Sequence, residues 1–374
     1  MKGLTDILKI FCCVFTAIVL TPSIGPAVSL EDEILEELDR EVSDLNKKPP
    51  QIEKPKAAKP KTRKPNTDMD DKTGSMMNLA QSQFDRGNYD ETIKILKPAI
   101  DTLPRAGLLL LAKAYEAKKD YLNEIKTLEL CIAKNPKDYV VRTAYGHALL
   151  RQQGRVDDAL KAFQEARTLN PLYRPAYEAL AEELEKKGER FEARNVLEDM
   201  RKRFGADAKI LSSLCRLWAL DQYNEATKVT CEQAIERAPD VPENHMYLGL
   251  ALMNLEKTKE AQRVLSSASK RFPASEPVQW ALGELAISKN DMVTAYNYFK
   301  RAAAADPKSV RAWIGYGKAA FELQKNEEAL QAFIKACKLN RHEVREFRSA
   351  IGQLRVRRDT AWQAKFEMGI NSCM

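Results

Sequence analysis

Beyond about residue 73 the apolar positions recur at spacings of three and four, and the same arrangement returns every 34 residues. Phe163, Leu197, Cys231, Leu265, Phe299 and Phe333 stand 34 apart, and so do Ala166, Met200, Ala234, Ala268, Ala302 and Ala336. Pro171, Gly205, Pro239, Pro273 and Pro307 keep that step, and Gly249, Gly283 and Gly317 form another column. Columns sharing one register identify an internal repeat. Within residues 242–273, His245, Leu248, Gly249 and Leu252 predict the stripe of a first amphipathic helix, and Ala261, Val264, Leu265 and Ala268 that of a second. Gly249 and Ala261 let the two approach closely, and Pro273 stops the second because it cannot donate into a last turn. So small a helix pair cannot bury its own faces, but stacked neighbours can. The spacing predicts eight units, near 73–104, 105–136, 139–171, 174–205, 208–239, 242–273, 276–307 and 310–341. The first two run at 32 and the third at 35, so the register slips there, and the fifth places Cys215 and Thr227 at small-residue positions. Beyond them Val344, Phe347, Ile351 and Leu354 predict a capping helix within a C-terminal segment, 342–374.

The N-terminal part has a different texture. An apolar or small-residue run from Ile10 to Leu20 follows Lys2 and Lys9, and Thr21-Pro22 ends it. It is shorter than the ~20 residues of a spanning helix, so residues 1–29 are expected to act as a signal peptide or signal anchor. Residues 30–46 are acidic, and Leu35, Leu38, Val42 and Leu45 place one apolar face on a short helix. Residues 47–72 are rich in lysine and carry Pro49, Pro50, Pro55, Pro60 and Pro65, which predicts an extended, disordered linker.

The repeat resembles that of the tetratricopeptide family, whose pattern is carried here by Trp313, Tyr316-Gly317, Ala320, Ala329, Phe333 and Ala336, and by Leu282-Gly283, Ala286, Ala295, Phe299, Ala302 and Pro307. The resemblance implies an all-α fold, a right-handed superhelical solenoid of about eight helix-turn-helix repeats, whose first helices line a concave groove that holds peptides or helices. The second face of those helices follows from the same step. One column is Glu178, Ser212, Met246, Trp280 and Ile314; a second is Glu182, Arg216, Leu250, Glu284 and Lys318; a third is Glu185, Ala219, Met253, Ile287 and Phe321. The candidate groove therefore comprises Glu178, Glu182 and Glu185 in the fourth unit and Met246, Leu250, Met253, Trp280, Ile287, Ile314 and Phe321 in the sixth to eighth. A helix apolar on two faces is expected to be covered, by a partner or by the protein's own C-terminal helix. The lysine and asparagine set with which some family members clamp terminal carboxylates is missing from these columns.

Charge and chemistry narrow the function further. Lysine and arginine number 60 against 53 acids, a net charge of +7, too mild to mark a nucleic-acid binder. The linker carries no aromatic residue on which bases could stack. With three histidines, and with Glu346 where a zinc-protease helix beginning at His342-Glu343 would need its second histidine, no metal site is expected. No nucleophile elbow, phosphate loop or Cys-x-x-Cys pair occurs, so the sequence offers no catalytic residues and asks for no cofactor. Cys215 and Cys231, on facing positions of one unit, are candidates for a disulfide. These features point to a non-catalytic protein-interaction scaffold or assembly factor of the cell envelope, holding a protein or peptide partner and attached to the membrane through its N-terminus. The absence of any Asn-x-Ser/Thr acceptor favours the bacterial periplasm, or the periplasmic side of the inner membrane, over a eukaryotic secretory route. The alternative is a polyanion- or nucleic-acid-binding protein, or an enzyme, using the basic linker and the arginines Arg345, Arg348, Arg355, Arg357 and Arg358.

Overall fold

A computed structural model describes residues 71–373, and among them every regular element is helical. The segments expected to be signal, acidic helix and linker lie outside the described residues up to residue 70. Eighteen α-helices follow one another as nine antiparallel pairs: α1 (Asp71–Asp85) and α2 (Tyr89–Leu96), α3 (Arg105–Ala117) and α4 (Tyr121–Lys134), α5 (Tyr139–Leu150) and α6 (Val156–Leu169), α7 (Arg174–Lys187) and α8 (Arg190–Phe204), α9 (Ala208–Leu220) and α10 (Asn224–Arg237), α11 (Pro242–Asn254) and α12 (Thr258–Arg271), α13 (Glu276–Ser288) and α14 (Met292–Ala305), α15 (Val310–Glu322) and α16 (Asn326–Leu339), α17 (Val344–Val356) and α18 (Thr360–Asn371). Residues beyond 341 thus form a further pair on the same plan rather than one helix.

Each helix packs on the next in sequence. First helices of successive pairs also touch, α9 with α11, α11 with α13 and α13 with α15; among the described second helices only α16 and α18 meet comparably. From α9 to α15 the first helices therefore sit closer together than the second helices.

The repeat period is written in the turns. Within every pair the connecting turn contains one left-handed residue, in order Gly87, Lys119, Gly154, Gly188, Gln222, Glu256, Asn290, Gln324 and Arg358, with φ between 57° and 86°. Their steps are 32, then 35, then a constant 34. The extra residue lies in the loop 151–155 between α5 and α6. Several first helices are capped by a side chain that accepts from a first-turn amide, Asp138 from Val141, Asp207 from Ile210 and Ser309 from Ala312. Between pairs, a proline follows the end of the second helix, and a polar tip on the next first helix donates to that proline's own carbonyl six residues back. Tyr177 Oη donates to the Pro171 carbonyl at 3.1 Å, Gln279 Nε2 to that of Pro273 at 3.0 Å and Trp313 Nε1 to that of Pro307 at 3.0 Å.

The interior of a pair is a large residue filling the space of a missing Cβ. A Cβ on Gly146 would lie 2.5 Å from the Phe163 ring, one on Gly249 2.5 Å from Leu265, one on Gly283 2.5 Å from Phe299, and one on Gly317 2.5 Å from Phe333. In the α9–α10 pair the same two columns hold Cys215 and Cys231, which are bonded to each other with Cα atoms 4.8 Å apart. Both sulfurs are fully buried, as is Thr227, whose hydroxyl donates to the Tyr223 carbonyl at 2.8 Å. Two medium side chains joined covalently replace one large and one absent. In the α17–α18 pair the relation is inverted, the ring of Phe347 on the first helix filling the space over Gly369 on the second, 2.7 Å from where its Cβ would be.

Candidate functional site

The three face columns lie on first helices throughout, and their surroundings differ along the stack. Glu178 accepts from Arg174 Nε at 2.9 Å and lies 3.6 Å from Lys209 Nζ. Glu182 is 2.8 Å from Lys186 Nζ, whose hydrogen bond holds its carboxyl below the usual carboxylate range. Glu185 pairs with Arg216 of the next first helix. These carboxylates, with Arg174, Lys209 and Arg216, line a hollow of about 200 Å³ between α7 and α9. Each carboxylate therefore has a cation from the same chain. Partly exposed pairs of this kind contribute only ~0–1 kcal/mol each, but they leave each of these three carboxylates already answered within the chain.

On α11, α13 and α15 the columns become apolar, and they divide by burial. Met246 is 1% exposed and Phe321 3%, and both belong to the interior. Phe321 packs edge-on against Phe366 of α18, with ring centroids 5.8 Å apart, so the protein's own last helix covers it. Those two residues build the wall of the face instead of offering contact area. Leu250, Met253, Trp280, Ile287 and Ile314 are half-buried and present the rest of their surface outward.

One cation the columns do not contain shapes this region. Arg311 on α15 donates through Nε and Nη2 to Glu276 at 2.9 and 2.6 Å, and its guanidinium carbon stands 4.7 Å from the centroid of the Trp280 ring. Glu276 is buried, so the arginine is anchored at one edge and stacks on the indole at the other. Arg311 follows Trp280 by 31 residues, one repeat less one helical turn, so the period itself contained the signal. Glu284, between Trp280 and Ile287 on α13, has its carboxyl raised above the usual range by burial, with Lys318 opposing.

The cysteines form a second pair besides the one on α9 and α10. Cys337 on α16 and Cys373, just past α18, are bonded with Cα atoms 5.7 Å apart, which ties the end of the last pair to the helix beneath it. Cys131 is buried and free. Among the described residues no group of three or more His, Cys, Asp or Glu side chains is placed to hold a metal ion, and no helix is long and apolar enough to cross a membrane.

Two tetratricopeptide-repeat family models match the chain, over residues 248–309 and 286–354. A TPR repeat-containing protein of Schizosaccharomyces pombe is 41% identical over 64 residues, a match that spans 17% of this chain and only 8% of that protein. Among solved structures, a tetratricopeptide repeat protein from Parabacteroides merdae superposes with a TM-score of 0.53 at 15% identity, covering 63% of this chain and 93% of that one. The C-terminal part of a TPR repeat-containing protein from Cytophaga hutchinsonii gives 0.51 at 17% identity, covering 64% and 98%. At such identities these structures establish the fold alone. Residues 248–354 thus match tetratricopeptide repeats, a fold that typically serves as a non-catalytic scaffold for protein or peptide partners, within a described chain that is a helical-repeat superhelix throughout.

Proposed function

We propose that this protein is an exported, non-catalytic scaffold or assembly factor of the cell envelope, and that it holds a segment of a partner protein in the groove formed by its first helices. The observation that carries this reading is the run of half-buried apolar side chains Leu250, Met253, Trp280, Ile287 and Ile314 along α11, α13 and α15. Apolar surface half removed from water by its own neighbours gains further from being covered, at about 25 cal/mol per Å². Rigid indole and adaptable methionine side by side suit an apolar segment of another chain. The close approach of the first helices from α9 to α15 supports the same face. Export is supported by the apolar run Ile10 to Leu20 and by four cysteines joined as two disulfides, which persist in oxidising compartments such as the periplasm and are rare in reducing ones. The N-terminal segment would then hold the scaffold at the membrane until or unless it is cleaved.

Site-specific photo-crosslinking in the native host tests the reading, with the probe at position 280 and a control at position 300, an exposed site on α14. A distinct polypeptide captured from 280 and absent from 300 is the expected result. Cross-links from 280 that reach only this protein's own residues would show a face filled internally and would overturn it.

A further inference from the structure

The face does not stop at its apolar stretch. Carried one more step of 34, its columns read Arg348, Gly352 and Arg355 on α17. All three are exposed, and nothing lies within 4 Å of where a Cβ on Gly352 would stand. Between α7 and α15 the cations of this face are engaged: Lys186 by Glu182, Lys209 by Glu178, Arg216 by Glu185, Arg311 by Glu276 and Lys318 by Glu346. Arg348 and Arg355 differ, for neither has a carboxylate partner among the described residues. They lie seven residues apart, two turns or ~10 Å along one helix stripe. Beside them a hollow of about 230 Å³ opens between Ile287, Phe321, Ser349 and Gln353, and its two carboxylates, Glu322 and Glu346, are already engaged by Arg357 and by Lys318 and Arg345.

We infer that the partner segment is acidic where it crosses α17: its carboxylates dock on Arg348 and Arg355 over Gly352, while its apolar residues lie on Trp280 and Ile314. This inference rests on the scaffold reading and adds the chemistry of the partner. Guanidinium forks match carboxylates in shape and charge, and a pair not spent on the protein's own acids keeps its charge for a ligand. The open space over Gly352 lets a partner backbone come close. The columns that carry the arginines also carry the half-buried apolar side chains, so one ligand must present both kinds of group. A peptide does so, whereas no aromatic residue at this station provides a stacking surface for bases.

The test is fluorescence anisotropy of the full chain with two labelled synthetic peptides that share alternating leucines and differ in carrying glutamate or lysine between them. At low salt the glutamate peptide should bind about tenfold more tightly, since complementary charge sets partner choice. The Arg348→Glu, Arg355→Glu double variant should abolish that preference, and Arg348→Lys, Arg355→Lys should keep most of it. Both substitutions are on exposed positions, and helical circular dichroism checks that the fold persists. Trp280→Ala should weaken both peptides alike. Equal binding of the two peptides, still sensitive to Trp280→Ala, would leave the apolar face standing and overturn the acidic station. Failure of the glutamate peptide to bind would also overturn it, whatever the cross-link from position 280 shows. So would binding of phosphatidylglycerol vesicles or single-stranded DNA that is lost in the charge-reversed variant while the peptides show no preference.

Discussion

Halfway along the stack the first-helix face changes character, while the interior behind it does not. On α7 and α9 the face is made of carboxylates answered by Arg174, Lys186, Lys209 and Arg216; on α11, α13 and α15 the same columns hold Leu250, Met253, Trp280, Ile287 and Ile314. Behind both halves, alanine and glycine columns meet large or bonded side chains at the same 34-residue step. Stacking needs the interior columns and tolerates almost anything on the face, so the face is where this protein differs from another array of the same fold. Charges that already have partners within the chain have little left to give a ligand, whereas half-buried apolar surface retains a driving force toward cover.

The sharpest way to break this division is to compare two aromatic residues of the apolar half. Phe321→Ala removes a ring that is 3% exposed and packed on Phe366, and should cost about 3–5 kcal/mol in a denaturant titration. Trp280→Ala, at a half-buried position, should cost about 1–2 kcal/mol while abolishing partner capture. Equal losses of stability would make Trp280 interior, and the apolar half would have no face.

Cys215 and Cys231 lie where the two halves meet. Their separation of 16 residues closes a loop for which the chain-entropy argument gives about 3 kcal/mol, so Cys215→Ala with Cys231→Ala should lower stability in a denaturant titration by that order. Cys215→Gly with Cys231→Leu restores the pairing seen at Gly249 and Leu265 and should recover part of the loss, leaving only the response to reductant that comes from Cys337–Cys373. If the second variant is no better than the first, the two columns are not interchangeable and the interior is less uniform than the comparison holds.

Nearer the other end of the stack, Glu124 on α4 is 3% exposed and bound by Arg151 at 2.8 Å. Burial pushes its carboxyl up to about 7, with Arg151 opposing and Glu116 adding to the rise. A carboxyl raised above its unfolded value favours the fold below that value and loses this contribution as pH rises through 7. Glu124→Gln should therefore raise stability by about 1–2 kcal/mol at pH 8 and change it little at pH 4, read from melting curves at the two pH values. A variant less stable at pH 8 would mean that the Arg151 pair outweighs burial, and that charges in this half are retained for stability.

Much of this was legible in the chain because the repeat step is a backbone property. A constant step in the turns carries every first helix into the same orientation, so columns read from Phe163 to Phe333 identify the interior without coordinates. The first-helix face was less legible, because column membership fixes direction but not depth. Met246 and Phe321 share columns with Trp280 and Ile287, yet lie deeper; Phe321 is covered by α18, whose packing through Phe366 departs from the 34-residue register by one position. The Arg311–Trp280 stack crosses between columns, so reading down each column separately missed it. The second disulfide joins α16 to the end of α18, where the repeat pattern no longer specifies the neighbours.

The smallest expected effect tests the charged half. Glu182 has a side chain 66% exposed, and its partner Lys186 lies four residues on along the same helix. Pairs at that spacing are worth ~0.3–0.5 kcal/mol and fade as salt is added. Glu182→Gln should thus change stability by less than about 0.5 kcal/mol, and capture of a partner by a photo-probe at position 314, which leaves Trp280 in place, should persist unchanged. The informative quantity is the ratio of its effect on capture to that of Trp280→Ala. A ratio near zero places the contact on the apolar helices and leaves the acidic helix as solvated scaffold. A ratio near one would mean that a partner displaces Lys186 to reach Glu182, so that internal pairing does not remove a carboxylate from the binding surface. In that case the engaged cations between α7 and α15 would have to be counted as contacts too, and Arg348 and Arg355 would lose the distinction that sets them apart.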